Sequence, residues 1–176
     1  MSEPHTSKSS LKDAAQHVFV GVGSGVAGTV YGTIVVMATL TAAYATEKHP
    51  WNLAGIVLSA SLVLWLAHVY AHGLSESIEL GRRVNPKEIA AIIRRERGIL
   101  LAAAAPVAFL LVGAAGLLKE TVSIWIALGV GLLTLFAEGV RFSRIEHLRP
   151  LAAAVAIGIN VALGLAVVAM KVELTH

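Results

Sequence analysis

Five long stretches of this chain contain no Asp, Glu, Lys or Arg: residues 14–46, 49–75, 98–118, 121–137 and 150–170. Charged residues crowd into the short intervals between them. A bilayer core about 30 Å thick takes ~20 residues of apolar helix. Four of the stretches are long enough, and the fourth in order becomes so once Glu138 and the residues up to Arg141 are included. The pattern predicts an all-α polytopic membrane protein with transmembrane helices at about 18–46, 52–80, 98–118, 121–146 and 149–171. Residues 18–176 then form one domain, and residues 1–17 a polar tail. Ala43-Tyr44-Ala45 resembles a signal-peptide cleavage site. The apolar stretch before it is about twice the 7–15 residues of a signal core, so a retained anchor is expected.

Between the second and third stretches, Asn85-Pro86-Lys87-Glu88 is a helix-start signal, with Asn as cap, Pro in the first position and Glu in the third. Ile89, Ile92 and Ile93 share a stripe, and Arg94, Arg95 and Arg97 follow. The expectation is a short amphipathic helix over about 85–97, lying on anionic lipid with the three arginines against the headgroups. In the first helix, Gly21, Gly25, Gly28 and Gly32 fall on one narrow face at ~100° per residue. Small residues let membrane helices approach closely, so this face is a candidate packing seam. Pro106 is expected to kink the third helix. A weak repeat at an offset of 70 lays Trp65-Leu66-Ala67-His68 over Leu135-Phe136-Ala137-Glu138. A parallel pair of hairpins and chance likeness between apolar helices explain it equally well.

Composition agrees with the pattern. The chain is 56% hydrophobic and only 14% charged, against about 25% charged for a soluble domain. With no cysteine, disulfides, thiolate metal sites and thiol catalysis are excluded. Of the fourteen Lys and Arg, eleven lie in the N-terminal tail and the 2–3 and 4–5 connections, while Lys48, Lys119 and Lys171 fall on the other side. The positive-inside rule then predicts a cytoplasmic N-terminus, an outside C-terminus and residence in the cell's inner membrane. This sorting by side, rather than into a basic module, argues against nucleic acid despite the net charge of +3. Gly21-Val22-Gly23-Ser24-Gly25 lacks both a preceding strand and a Gly-Lys-Ser/Thr ending, so it is no phosphate loop. Nothing in the chain suggests an enzyme.

The candidate chemistry lies where polar groups interrupt the apolar pattern. An ionisable side chain near the bilayer centre costs about 2.5–3.5 kcal/mol on insertion scales, and such groups commonly face a partner, a cavity or an ion path. His68, His72, Glu76 and Glu79 follow at i, i+4, i+8 and i+11 along one side of helix 2. Glu138 lies at a similar expected depth on helix 4. Together His68, His72, Glu76 and Glu138 offer a set for a divalent metal or a proton relay. Two other arrangements stay open. Glu138 can pair with Arg141, and His68 can bond a backbone carbonyl or the hydroxyl of Tyr31 or Thr33. Asn160 in helix 5 suits an interhelical hydrogen bond.

Five helices, a cytoplasmic N-terminus and a helical insert between helices 2 and 3 resemble the layout of vacuolar-iron-transporter-type proteins, which implies metal transport. Against that resemblance, Gly23-Ser24-Gly25 stands where the family has an acidic residue, and the Arg-rich 82–97 segment replaces its Glu-rich metal-collecting helices. Two functions therefore follow from the sequence: a transporter, channel or sensor of protons or divalent metal, or a non-transporting scaffold. The scaffold would pack with a second copy or a partner membrane protein and with membrane lipid. No cofactor is expected beyond a bound divalent metal.

Overall fold

Short polar turns divide the chain into five helices: α1 (Ser7–Thr46), α2 (Pro50–Leu80), α3 (Pro86–Ala114), α4 (Glu120–Ile145) and α5 (Pro150–Leu174). The computed structural model describes the backbone of residues 7–174 and the side chains of residues 25–170, 172 and 173. All five helices are long and apolar enough to cross a membrane, and the chain is an integral membrane protein of helical-bundle type.

The turns are held by side chains that take up backbone groups left free at helix ends. His49 Nδ1 accepts from the Trp51 amide at 3.3 Å to start α2. Glu47 accepts from the His49 amide and the Asn52 carboxamide, contacts that hold its carboxyl below the usual carboxylate range, the His49 amide contributing most. Gly81, at φ 61°, ends α2 in the left-handed conformation that glycine adopts most readily.

At α3 the capping signal is used in full. Asn85 Oδ1 accepts from the amides of Lys87 and Glu88, and Glu88 Oε2 accepts from the Asn85 amide at 2.7 Å. The expected short amphipathic helix over 85–97 does not form as a separate element. Once started at Pro86, the helix runs without a break to Ala114. The reason is visible in its stripe: Ile92, Glu96, Ile99, Ala103, Pro106, Leu110 and Gly113 are all buried. That is a continuous seam with the roughly 3.5-residue spacing of packed helices. Ile92, expected on the lipid-facing stripe of a surface helix, is 2% exposed and approaches α2 at Gly73. Pro106, whose missing amide ends many helices, lies within the same uninterrupted span.

Among the described residues, α1 touches each of the other four helices, while α2, α3, α4 and α5 contact one another in sequence and α2 does not reach α5. The later helices thus form an open arc around a central α1. Backbone comes against backbone where α1 crosses α3. A Cβ on Gly32 would stand 2.9 Å from Ile99 Cα, and one on Gly98 would stand 3.0 Å from the Gly25 carbonyl oxygen. The four glycines of the predicted stripe are unequal: Gly32 lies against α3 backbone, Gly28 makes ordinary contact with Ile99, and Gly25 has open space at its Cβ position. Gly21 lies outside the residues whose side-chain surroundings are described.

On the other side of α1, Met37 lies under Gly131 of α4, in a core with Leu40, Leu53, Leu110, Ile124, Leu128 and Leu135. Two buried hydroxyls are satisfied within their own helices, Thr33 donating to the Thr29 carbonyl at 2.7 Å and Ser61 to that of Val57 at 2.8 Å, whereas the buried hydroxyl of Thr41 has no hydrogen-bond partner. Hydrocarbon supplies no partner for such groups. The outward faces of α2 and α5 are apolar, with Val63, Leu66, Leu151 and Val155 exposed, as a lipid-facing surface requires.

Candidate functional site

Three titratable positions sit at one level. His68 is eighteen residues from Pro50 at the start of α2, Glu138 eighteen from Glu120 at the start of α4, and Glu96 eighteen from Ala114 at the end of α3. At 1.5 Å per residue that is about 27 Å from the end of the bundle opposite the arginines. All three therefore lie close to the end where Arg82, Arg83, Arg141 and Arg144 cluster, called here the basic end.

The histidines meet Glu96 rather than Glu138. His68 Nδ1 is 3.0 Å from the Leu64 carbonyl oxygen, and His72 Nδ1 is 3.0 Å from that of His68. In the neutral ring this assigns the proton to Nδ1 and leaves Nε2 as the free basic nitrogen. The two imidazole centroids are 6.4 Å apart. His68 also faces the ring of Tyr31 on α1, centroid to centroid 5.2 Å. Beyond His72, its Nδ1 stands 3.6 Å from Glu96 Oε1, an ion-pair separation too long for a hydrogen bond. Arg95 Nε donates to the same oxygen at 3.2 Å. Glu96 is 4% exposed. Tyr31, His68, His72 and Glu96 therefore form a string from α1 across α2 to α3, toward the basic end.

Glu138 stands apart from this string in its contacts. One of its oxygens is 3.5 Å from Arg141 Nη1, and the other is buried without a hydrogen-bond partner. The Arg141 pairing left open by the sequence is thus the one observed. Glu76, one turn beyond His72, is half-buried. Glu79 is exposed and accepts from Ser75 at 3.4 Å. No group of three or more His, Asp or Glu side chains among the described residues is arranged to hold a metal ion. Of the three arginines expected at lipid headgroups, Arg94 and Arg97 are exposed, and Arg95 is engaged with Glu96.

Two members of the string escaped the sequence reading. Glu96 sits inside the run Arg94-Arg95-Glu96-Arg97 and reads there as one more solvated charge. A signal was nevertheless present: Glu96 falls four residues after Ile92 and three before Ile99, on the apolar stripe of its own helix. Tyr31 carries no such signal, since an aromatic in an apolar stretch is ordinary.

No protein-family model, curated protein or solved structure matches this chain. The likeness to vacuolar-iron-transporter-type proteins is thus one of helix number and order, and the separate insert helix on which it partly rested is here the first turns of α3.

Proposed function

We propose that this integral membrane protein takes up and releases protons at the His68–His72–Glu96 cluster, as the entry site of a proton translocator or proton sensor. With the basic end on the cytoplasmic side, as the positive-inside rule expects, the cluster would exchange with the cytoplasm. The observation that carries this reading is the burial of Glu96 beside His72 at membrane depth. A carboxylate kept there needs a partner, and its partners are Arg95 and the His72 imidazole, a group able to take up and give back a proton. Protonating His72 at Nε2 places a positive ring against Glu96, and deprotonation removes it. The free Nε2 atoms of His72 and His68 provide successive stations toward Tyr31. A proton suits the cluster better than a divalent metal, because a closed metal shell needs more convergent ligands than the two imidazoles and one arginine-bound carboxylate supply.

Reconstitution into vesicles enclosing a pH-sensitive dye tests this. Under an imposed potential, wild-type vesicles are expected to acidify or alkalinise faster than empty ones. His72→Ala and Glu96→Gln should slow that flux at least tenfold, and Glu79→Gln should leave it unchanged. Adding Glu138→Gln asks whether that residue belongs to the path. Vesicles no more permeable than empty ones, to protons and to divalent metals alike, would leave the scaffold reading in place. The unpartnered apolar faces of α2 and α5, on either side of the opening in the arc, are the feature that favours it.

A further inference from the structure

A groove of about 570 Å³ is walled by α1, the basic end of α4, and α5. Pockets that enclose drug-sized molecules run about 300–1,000 Å³ and combine apolar walls with a few convergent polar groups. Here Val26, Val30, Ile34, Ile145 and Ile159 give the apolar wall. The exceptions are chemically specific. Tyr31 and Phe142 contribute aromatic rings, Asn160 a carboxamide halfway along α5, and Glu146 a carboxylate at the α4 C-terminus. Among the described lining residues Glu146 is the one charged group, and it makes no ion pair with another described side chain. The arginines of the same end do not line the groove.

We infer that this groove binds a lipophilic cation, an organic ammonium or phosphonium whose apolar body lies along α1 and α5 and whose charge faces Glu146, Tyr31 and Phe142. Charge complementarity selects the sign: a carboxylate attracts the cation, and aromatic faces add to that attraction. The apolar wall, built on three helices long and apolar enough to cross a membrane, suits a molecule that arrives by partitioning into the bilayer. An anion of the same shape would gain the burial and lose the electrostatic attraction. The groove shares one residue with the titratable string: Tyr31 both lines it and faces His68. Occupancy and the state of the histidines are therefore in direct contact. The site itself does not depend on proton flux.

The test uses a matched pair of probes, tetraphenylphosphonium and tetraphenylborate, of like size and opposite charge. Equilibrium dialysis on the full chain in detergent, with radiolabelled probe and excess unlabelled competitor, should give saturable binding of the phosphonium and none of the borate. Glu146→Gln is expected to weaken the phosphonium at least tenfold, whereas Glu47→Gln, an acid at the opposite end, leaves it unchanged. Ala156→Phe, which fills the groove, should abolish saturable binding while thermal unfolding of the variant remains cooperative. Equal binding of both probes, or a phosphonium affinity indifferent to Glu146→Gln, would overturn the assignment. Binding in a protein that shows no proton flux would keep this site and reject the function proposed above; flux without binding would do the reverse.

Discussion

A single carboxylate, Glu96, occupies a helix stripe otherwise made of Ile92, Ile99, Ala103 and Leu110. Its two contacts differ in strength, with Arg95 Nε at hydrogen-bond distance and His72 Nδ1 farther off. A buried charge that loses its closer donor is more costly than one replaced outright by an apolar side chain of similar volume. Arg95→Ala is thus expected to destabilise the protein by about 1–3 kcal/mol, and Glu96→Leu by less. Thermal unfolding in detergent ranks the two, and the reverse order would mean that Arg95 contributes little to holding Glu96. The same residue marks the limit of the sequence reading. Polar groups inside uncharged stretches, such as His68 and His72, stand out by their cost. Glu96 lies outside those stretches, hidden by three flanking arginines, and only the helix period separates it from them. The pairing of His72 with Glu96 rather than Glu138 depends on which helices are neighbours, which hydropathy does not encode.

The five helices were legible because their apolar lengths match a bilayer, and one start, at Asn85, carries a chemical signal. The continuity of α3 was not. A capping box followed by an Arg-rich turn looks like a self-contained surface helix until the buried positions 92, 96 and 99 are joined to 103, 106 and 110. Where α3 crosses α1, backbone lies against backbone, and an added side chain finds no flexible neighbour to displace. Gly32→Val should therefore cost at least the ~1–3 kcal/mol typical of overpacking. Gly55→Ala, whose new methyl meets nothing within 4 Å, should be neutral or nearly so. Loss of the cooperative unfolding transition in the first variant and its retention in the second is the expected readout; equal tolerance would mean that the crossing is looser than drawn.

For the whole molecule, the charge sorting and the helix order make one joint statement about sidedness. The chain has no native cysteine, so single substitutions report position without background. Lys87→Cys at the basic end is expected to react with a membrane-impermeant maleimide only after cells are permeabilised. Leu117→Cys, exposed in the α3–α4 turn, should react in intact cells. The opposite labelling pattern would invert the molecule and place the His68–His72–Glu96 cluster against the outer solution.

The central position of α1 has a consequence for biogenesis. Chains are made from the N-terminus, so the helix that ends up surrounded enters the bilayer ahead of the four that surround it. Its glycine face is then uncovered, because the backbone that fits against Gly32 arrives only with Ile99 and Ala102 of α3. Until then α1 has α2 beside it, and lipid occupies the α3 crossing. Assembly of this protein is thus a matter of later helices displacing lipid from an earlier one. The third helix, which contacts both α1 and α2 extensively, is the step at which a loose hairpin becomes a fixed bundle.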